Sequence, residues 1–122
     1  MIPAQSTSNF MLMLSTSEGR YFYHPEEIIR LEASSNYTYV YFTNRKPLLI
    51  SKVLGEYEEQ LCAAGFVRTH RSHLVNKQYI MCIDACGNIV MRDSSKAELS
   101  RRKKKEVLRQ LQLGRMMQKA AA

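Results

Sequence analysis

Short blocks in which apolar and polar residues alternate, rather than long helical stripes, organise most of this 122-residue chain. Residues 37–43 read Tyr-Thr-Tyr-Val-Tyr-Phe-Thr, aromatic or β-branched throughout. That pattern predicts a strand with the odd-numbered tyrosines on one face and Thr38, Val40 and Phe42 on the other. Asn44-Arg45-Lys46 predicts a turn into residues 47–50, the second arm of a hairpin. Upstream, residues 10–14 and 20–24 predict two strands around Ser-Thr-Ser-Glu-Gly, Pro25 halts the second, and residues 28–31 predict a third. Downstream, residues 66–69 are extended, and residues 79–83 and 88–92 flank Asp84-Ala85-Cys86-Gly87, a hairpin signal. A short extended piece is expected near residues 97–99.

Helical periodicity occurs twice. Over residues 52–64, Val53, Leu54, Tyr57 and Leu61 fall on one stripe, with Glu56, Glu58 and Glu59 largely facing water, Ser51 as N-cap and Gly65 as C-cap. This acidic helix suits packing on a sheet better than lying in a DNA groove. Ser100 caps a last helix whose inner stripe is Val107, Leu108 and Leu111, with Gly114 as its end. The sequence therefore predicts a loose polar tail over residues 1–9, one folded body over 10–113 that is mostly strands, and a flexible tail over 114–122.

Charge changes the picture. Residues 1–99 hold ten basic and ten acidic residues, whereas eight basic residues from Arg101 onward face Glu106 alone, which is the entire net charge of +7. A neutral body with a basic end suits a polyanion, and nucleic acid is the commonest one in a cell. Composition places the chain among ordinary globular proteins. No apolar run is long enough to span a bilayer, and the first ten residues lack a secretory pattern. Three cysteines, an odd number, read as reduced thiols in a cytoplasmic protein.

The most unusual stretch of the body is residues 68–77, Arg-Thr-His-Arg-Ser-His-Leu-Val-Asn-Lys. It is read here as a polar loop between strands. A merely solvated loop is one reading; the other rests on Arg, His, Asn and Lys being donors that contact phosphates and base edges. His70-x2-His73 with Cys82-x3-Cys86 amounts to four zinc ligands, but the spacings are not those of a common finger, and no metal is expected. No paired carboxylates, phosphate loop or nucleophile motif supports an enzyme. A rival binding mode uses the basic C-terminal helix alone on RNA, an anionic membrane or an acidic protein.

Three separated runs carry a family resemblance. Leu31-Glu32-Ala33-Ser34-Ser35-Asn36-Tyr37-Thr38-Tyr39-Val40 resembles the opening signature of the LytTR DNA-binding domain. Phe66-Val67-Arg68-Thr69-His70-Arg71-Ser72-His73-Leu74-Val75-Asn76-Lys77 resembles its central motif, and Leu99-Ser100-Arg101-Arg102-Lys103 its third. The likeness spans about residues 10–112. It implies a mainly β fold, an elongated stack of antiparallel β-sheets with one small central helix and a C-terminal basic helix, which grips the major groove through loops. On that resemblance Asn36, Tyr37 and Thr38 face DNA, with Thr38 reading a base. Arg68, His70, Arg71, Ser72 and Lys77 approach the groove and its phosphates, Arg71 reading a second base. Ser100, Arg101, Arg102 and Lys103 form the third contact, with Arg102 reading a third base, while Val75 and Asn76 hold the loop's shape.

The function so implied is sequence-specific binding of double-stranded DNA by a bacterial, cytoplasmic transcription regulator. Two copies per operator, no cofactor, no small-molecule substrate and control by a regulatory partner protein belong to the same expectation. Most family members carry this domain behind a receiver. At this length none fits beside it, so phosphorelay control is expected to need another polypeptide.

Overall fold

The computed structural model of the chain describes residues 10–121, with side chains through residue 112; the tail expected over residues 1–9 lies outside the described residues. The fold is mainly β, in three antiparallel sheets. β1 (Leu12–Thr16) and β2 (Gly19–Tyr23) form a two-stranded ribbon. β3 (Ile28–Ser34), β4 (Tyr37–Phe42), β5 (Leu48–Ile50), β6 (Phe66–His70) and β7 (His73–Asn76) form a central sheet in the order β5-β4-β3-β7-β6. β8 (Ile80–Ile83), β9 (Ile89–Met91) and β10 (Lys96–Ala97) form the third, in the order β10-β9-β8. The helices are α1 (Gly55–Ala63) and α2 (Arg101–Ala121).

The central sheet is apolar on both faces, and this decides the layering. On β6 and β7 consecutive residues enter different cores. Phe66 and Leu74 join Leu12, Leu14, Leu31, Val40 and Leu61 between the ribbon, α1 and the sheet. Val67 and Val75 join Ile29, Ile89, Met91 and Val107 between the sheet, β9 and α2. Burying each such leucine or valine contributes about 1.5–3 kcal/mol.

The loop expected over 68–77 is instead the β6–β7 hairpin, turning only at Arg71-Ser72, with all four β7 residues buried. Leu74 and Val75 each fill a core, so the segment extends despite its polar ends. Asn76 is accommodated because its amide donates to Ile28 O at 3.0 Å while its Oδ1 accepts from Gln78 N at 3.0 Å.

α1 begins three residues later than its periodicity predicts, because Ser51 is not its cap: the Ser51 hydroxyl donates to Ser15 O at 3.3 Å, tying β1 to the end of β5. Gly65 follows α1 with φ +99°, a left-handed conformation that favours glycine and ends the helix. Ser100 caps α2 as predicted, its Oγ accepting from Lys103 N at 3.2 Å. The end expected at Gly114 is absent, and the flexible tail expected over 114–122 lies within α2 as far as Ala121. One glycine costs about 1 kcal/mol relative to alanine in a helix interior. That is too little to stop a helix flanked by leucine, arginine, methionine and alanine.

Candidate nucleic-acid interface

The three runs singled out in the sequence meet at one end of the central sheet. β3 is antiparallel to both β4 and β7, so the Ser35-Asn36 turn and the Arg71-Ser72 turn emerge side by side. Ala33 N donates to Ser72 O at 2.9 Å, joining the end of β3 that leads into the first turn to the second turn. Ser100 N donates to Thr69 O at 2.8 Å, and the Thr69 hydroxyl donates to Glu98 O at 2.8 Å. These two bonds dock the start of α2 onto β6, two residues before the second turn begins.

The Arg71-Ser72 turn is braced from inside. Arg68 Nε donates to His70 O at 2.9 Å and its Nη2 to Arg71 O at 2.6 Å, while Nη1 pairs with Glu58 of α1. His70 Nδ1 accepts from Ser72 N at 3.0 Å, and Nε2 meets Glu98 Oε1 at 3.2 Å. Held by these bonds, the turn projects Arg71 into solvent. Asn36, Tyr37, Arg101 and Arg102 are likewise exposed, and Ser72, Ser100, Lys77 and Lys103 are half-buried. Among the described residues no ion pair engages Arg71, Arg101, Arg102, Lys103 or Lys104. Their charge is therefore available to an incoming polyanion.

Two expected contacts sit differently. Thr38 is fully buried on β4, and its hydroxyl donates to Lys52 O at 2.8 Å. Its polar atom is spent inside the fold, so the position braces the residues after β5 rather than presenting a base reader. Arg68 is mostly buried, and its donors serve the turn that presents Arg71. Lys77 lies past the far end of β7, roughly 15 Å along the strand from the turn; there it lines a groove with Arg68 and Lys103 between α1 and α2.

Sequence reasoning missed Glu98. Glu98 touches His70 through its carboxylate and Thr69 through its carbonyl. No local signal marks it, because the contact depends on where α2 docks. The sequence had paired the histidines with Cys82 and Cys86; the structure groups His70 and His73 with Glu98 instead. His73 is buried, and burial holds its imidazole below the ordinary range, against the pull of Glu32.

A β scaffold that gathers two polar turns and a basic helix start at one edge has the makings of a nucleic-acid-binding domain. The comparisons with known proteins make this specific. The family model of the LytTr DNA-binding domain matches residues 18–112, and the chain belongs to that family of DNA-binding domains, which serve as output domains of response regulators in transcription regulation. It is also similar in structure to the LytTr DNA-binding domain of a protein described as a methyl-accepting/DNA response regulator from Bacillus cereus, with a TM-score of 0.65 and 26% identity over 83% of this chain and 94% of that one. No curated protein sequence matches. Among the described residues no helix is long and apolar enough to cross a membrane.

Proposed function

We propose that this domain binds specific sequences in double-stranded DNA and regulates transcription in the bacterial cytoplasm without catalysing a reaction. The observation that carries the reading is the pair of backbone bonds, Ala33 to Ser72 and Ser100 to Thr69, that hold the two turns and the start of α2 in one body at one sheet end. Arg71 and Arg102 read base edges, since an exposed arginine can fork onto the O6 and N7 of guanine. Asn36, Tyr37, Ser72, Ser100, Arg101 and Lys103 fix the register through phosphates, with His70 supporting the turn they surround. Two copies occupy one operator, on repeats about one helical turn apart. A partner protein controls access to DNA.

The rival surface-helix reading loses support because the apolar stripe of α2 is already used. Val107 is buried in the second core and Leu111 packs against it.

Selection of bound fragments from random duplex DNA tests the proposal. Enrichment of two short motifs separated by about one turn of the helix is expected. Recovery of DNA with no enriched sequence would leave only a non-specific binder and overturn it.

A further inference from the structure

His70 and His73 are register partners across the β6–β7 turn, next to a bulge between Arg68 and His70. Their rings stand edge to face with centroids 5.6 Å apart. Glu98 joins them from the segment before α2, where the bonds from Thr69 to Glu98 O and from Ser100 to Thr69 O fasten the backbone to β6. One nitrogen of each imidazole and one carboxylate oxygen consequently lie within 4.8 Å of one another. His70 Nε2 and Glu98 Oε1 are 3.2 Å apart, close to the edge of a tetrahedron built on metal–ligand bonds of about 2.0–2.1 Å.

His73 adds an independent sign. It is 7% exposed, and its buried Nδ1 has no hydrogen-bond partner among the described residues. Native interiors rarely leave such an atom unsatisfied.

We propose that His70, His73 and Glu98 form a binding site for a divalent transition-metal ion, with zinc the best chemical match. Two imidazoles and one carboxylate are a borderline donor set that suits zinc, whereas magnesium and calcium favour all-oxygen cages. The Glu98 side chain is 64% exposed, so a fourth position stays open to water. Cys82 and Cys86 are not members of the group.

Occupancy changes the turn. His70 Nδ1 accepts from Ser72 N, so the neutral ring carries its proton on Nε2 and donates it to Glu98. An ion can bind Nε2 only once that nitrogen's proton has shifted to Nδ1, which frees the Nε2 lone pair and leaves the ring's proton count unchanged. Nδ1–H cannot accept a hydrogen bond, so Ser72 N loses its partner and the turn that presents Arg71 loosens. Metal and DNA binding are therefore antagonistic. This consequence rests on the DNA reading above, whereas the metal site does not.

The test titrates Co2+ into the full chain without DNA and follows its visible absorption, with Zn2+ as competitor. A saturable one-to-one band, displaced by zinc and weakened at least tenfold in both Glu98→Gln and His73→Gln, is expected. Glu98 is exposed, so Glu98→Gln keeps the test valid should the His73 variant fail to fold. No saturable band, an undiminished band in Glu98→Gln, or a thiolate-to-cobalt band lost in Cys82→Ser would each overturn the site. With DNA present, zinc weakens binding by the wild type severalfold and spares Glu98→Gln. If cobalt binds as expected while DNA affinity stays constant, the antagonism is wrong. If metal-free protein ignores DNA altogether, the DNA reading fails and the cobalt result stands.

Discussion

The amide of Ala33 donates to the carbonyl oxygen of Ser72 at 2.9 Å. The bond spans two hairpins that are distant in sequence and adjacent in the sheet, since Glu32 is the register partner of His73. It makes the Asn36 turn and the Arg71 turn one rigid edge. With Ser100 tied to Thr69, the start of α2 belongs to the same edge. Cations presented this way keep their spacing before DNA arrives, so little ordering cost falls on binding.

Arg71 and Lys104 are expected to separate base reading from charge. Arg71→Ala loosens discrimination between related duplexes by about 1–3 kcal/mol. Lys104→Ala weakens all sequences alike. Competition binding against single-base variants of a selected site checks this; a uniform loss in both variants would remove Arg71 as a reader.

Arg68 distinguishes bracing from contact. Arg68→Ala removes the donors to His70 O and Arg71 O and leaves Glu58 without its partner. Loss of such charged hydrogen bonds is expected to cost about 1.5–3 kcal/mol of folding stability. Affinity for DNA falls as the turn relaxes, but the slope of log affinity against log salt stays the same. A phosphate-contacting arginine would instead lower the slope by about 1 on removal. Urea unfolding and a salt titration of the variant decide between them.

Thr38→Val tests the reassigned position. The buried hydroxyl bond to Lys52 O is lost, which is expected to destabilise the fold by about 1–2 kcal/mol. The preferred DNA sequence is unchanged. A shifted preference in the selected motifs would restore Thr38 as a base reader.

Asp84 gives a pH dependence. The Asn88 amide, followed by the Lys96 ammonium, holds its carboxyl below the usual carboxylate range. A folded-state pKa below the unfolded one means the unfolded chain binds more protons as acid is added. The contribution is complete above the unfolded value, about 3.9, and disappears as pH falls through the folded one. Asp84→Asn keeps an acceptor for the turn amides but has no carboxylate to titrate. Its melting temperature is expected to depend less on pH below about 4 than that of the wild type. Parallel pH profiles would contradict this.

Where residues answer to their neighbours, the sequence was legible. The β4 alternation, the β8–β9 hairpin signal and the Ser100 cap are all local, and each has its structural counterpart. Thr38 is instructive, because alternation placed it beside Val40 and Phe42 on the buried face while the family resemblance sent it to DNA; its burial follows the alternation. β7 was hidden because a strand buried on both faces shows no alternation, and its polar ends, His73 and Asn76, look like loop. The role of Glu98 was illegible for another reason: it exists only once α2 docks on β6. The turn residues Asn36 and Arg71 could be named from sequence, but their junction through Ala33 and Ser72 could not.

The most direct test of the central claim is an amide chemical-shift map of the protein on adding a selected duplex, which reports where DNA lies on the fold. The account predicts that the largest changes cluster in residues 34–38, 70–73 and 99–104 and saturate together. Changes confined to α2 beyond residue 104, with the two turns silent, would contradict it.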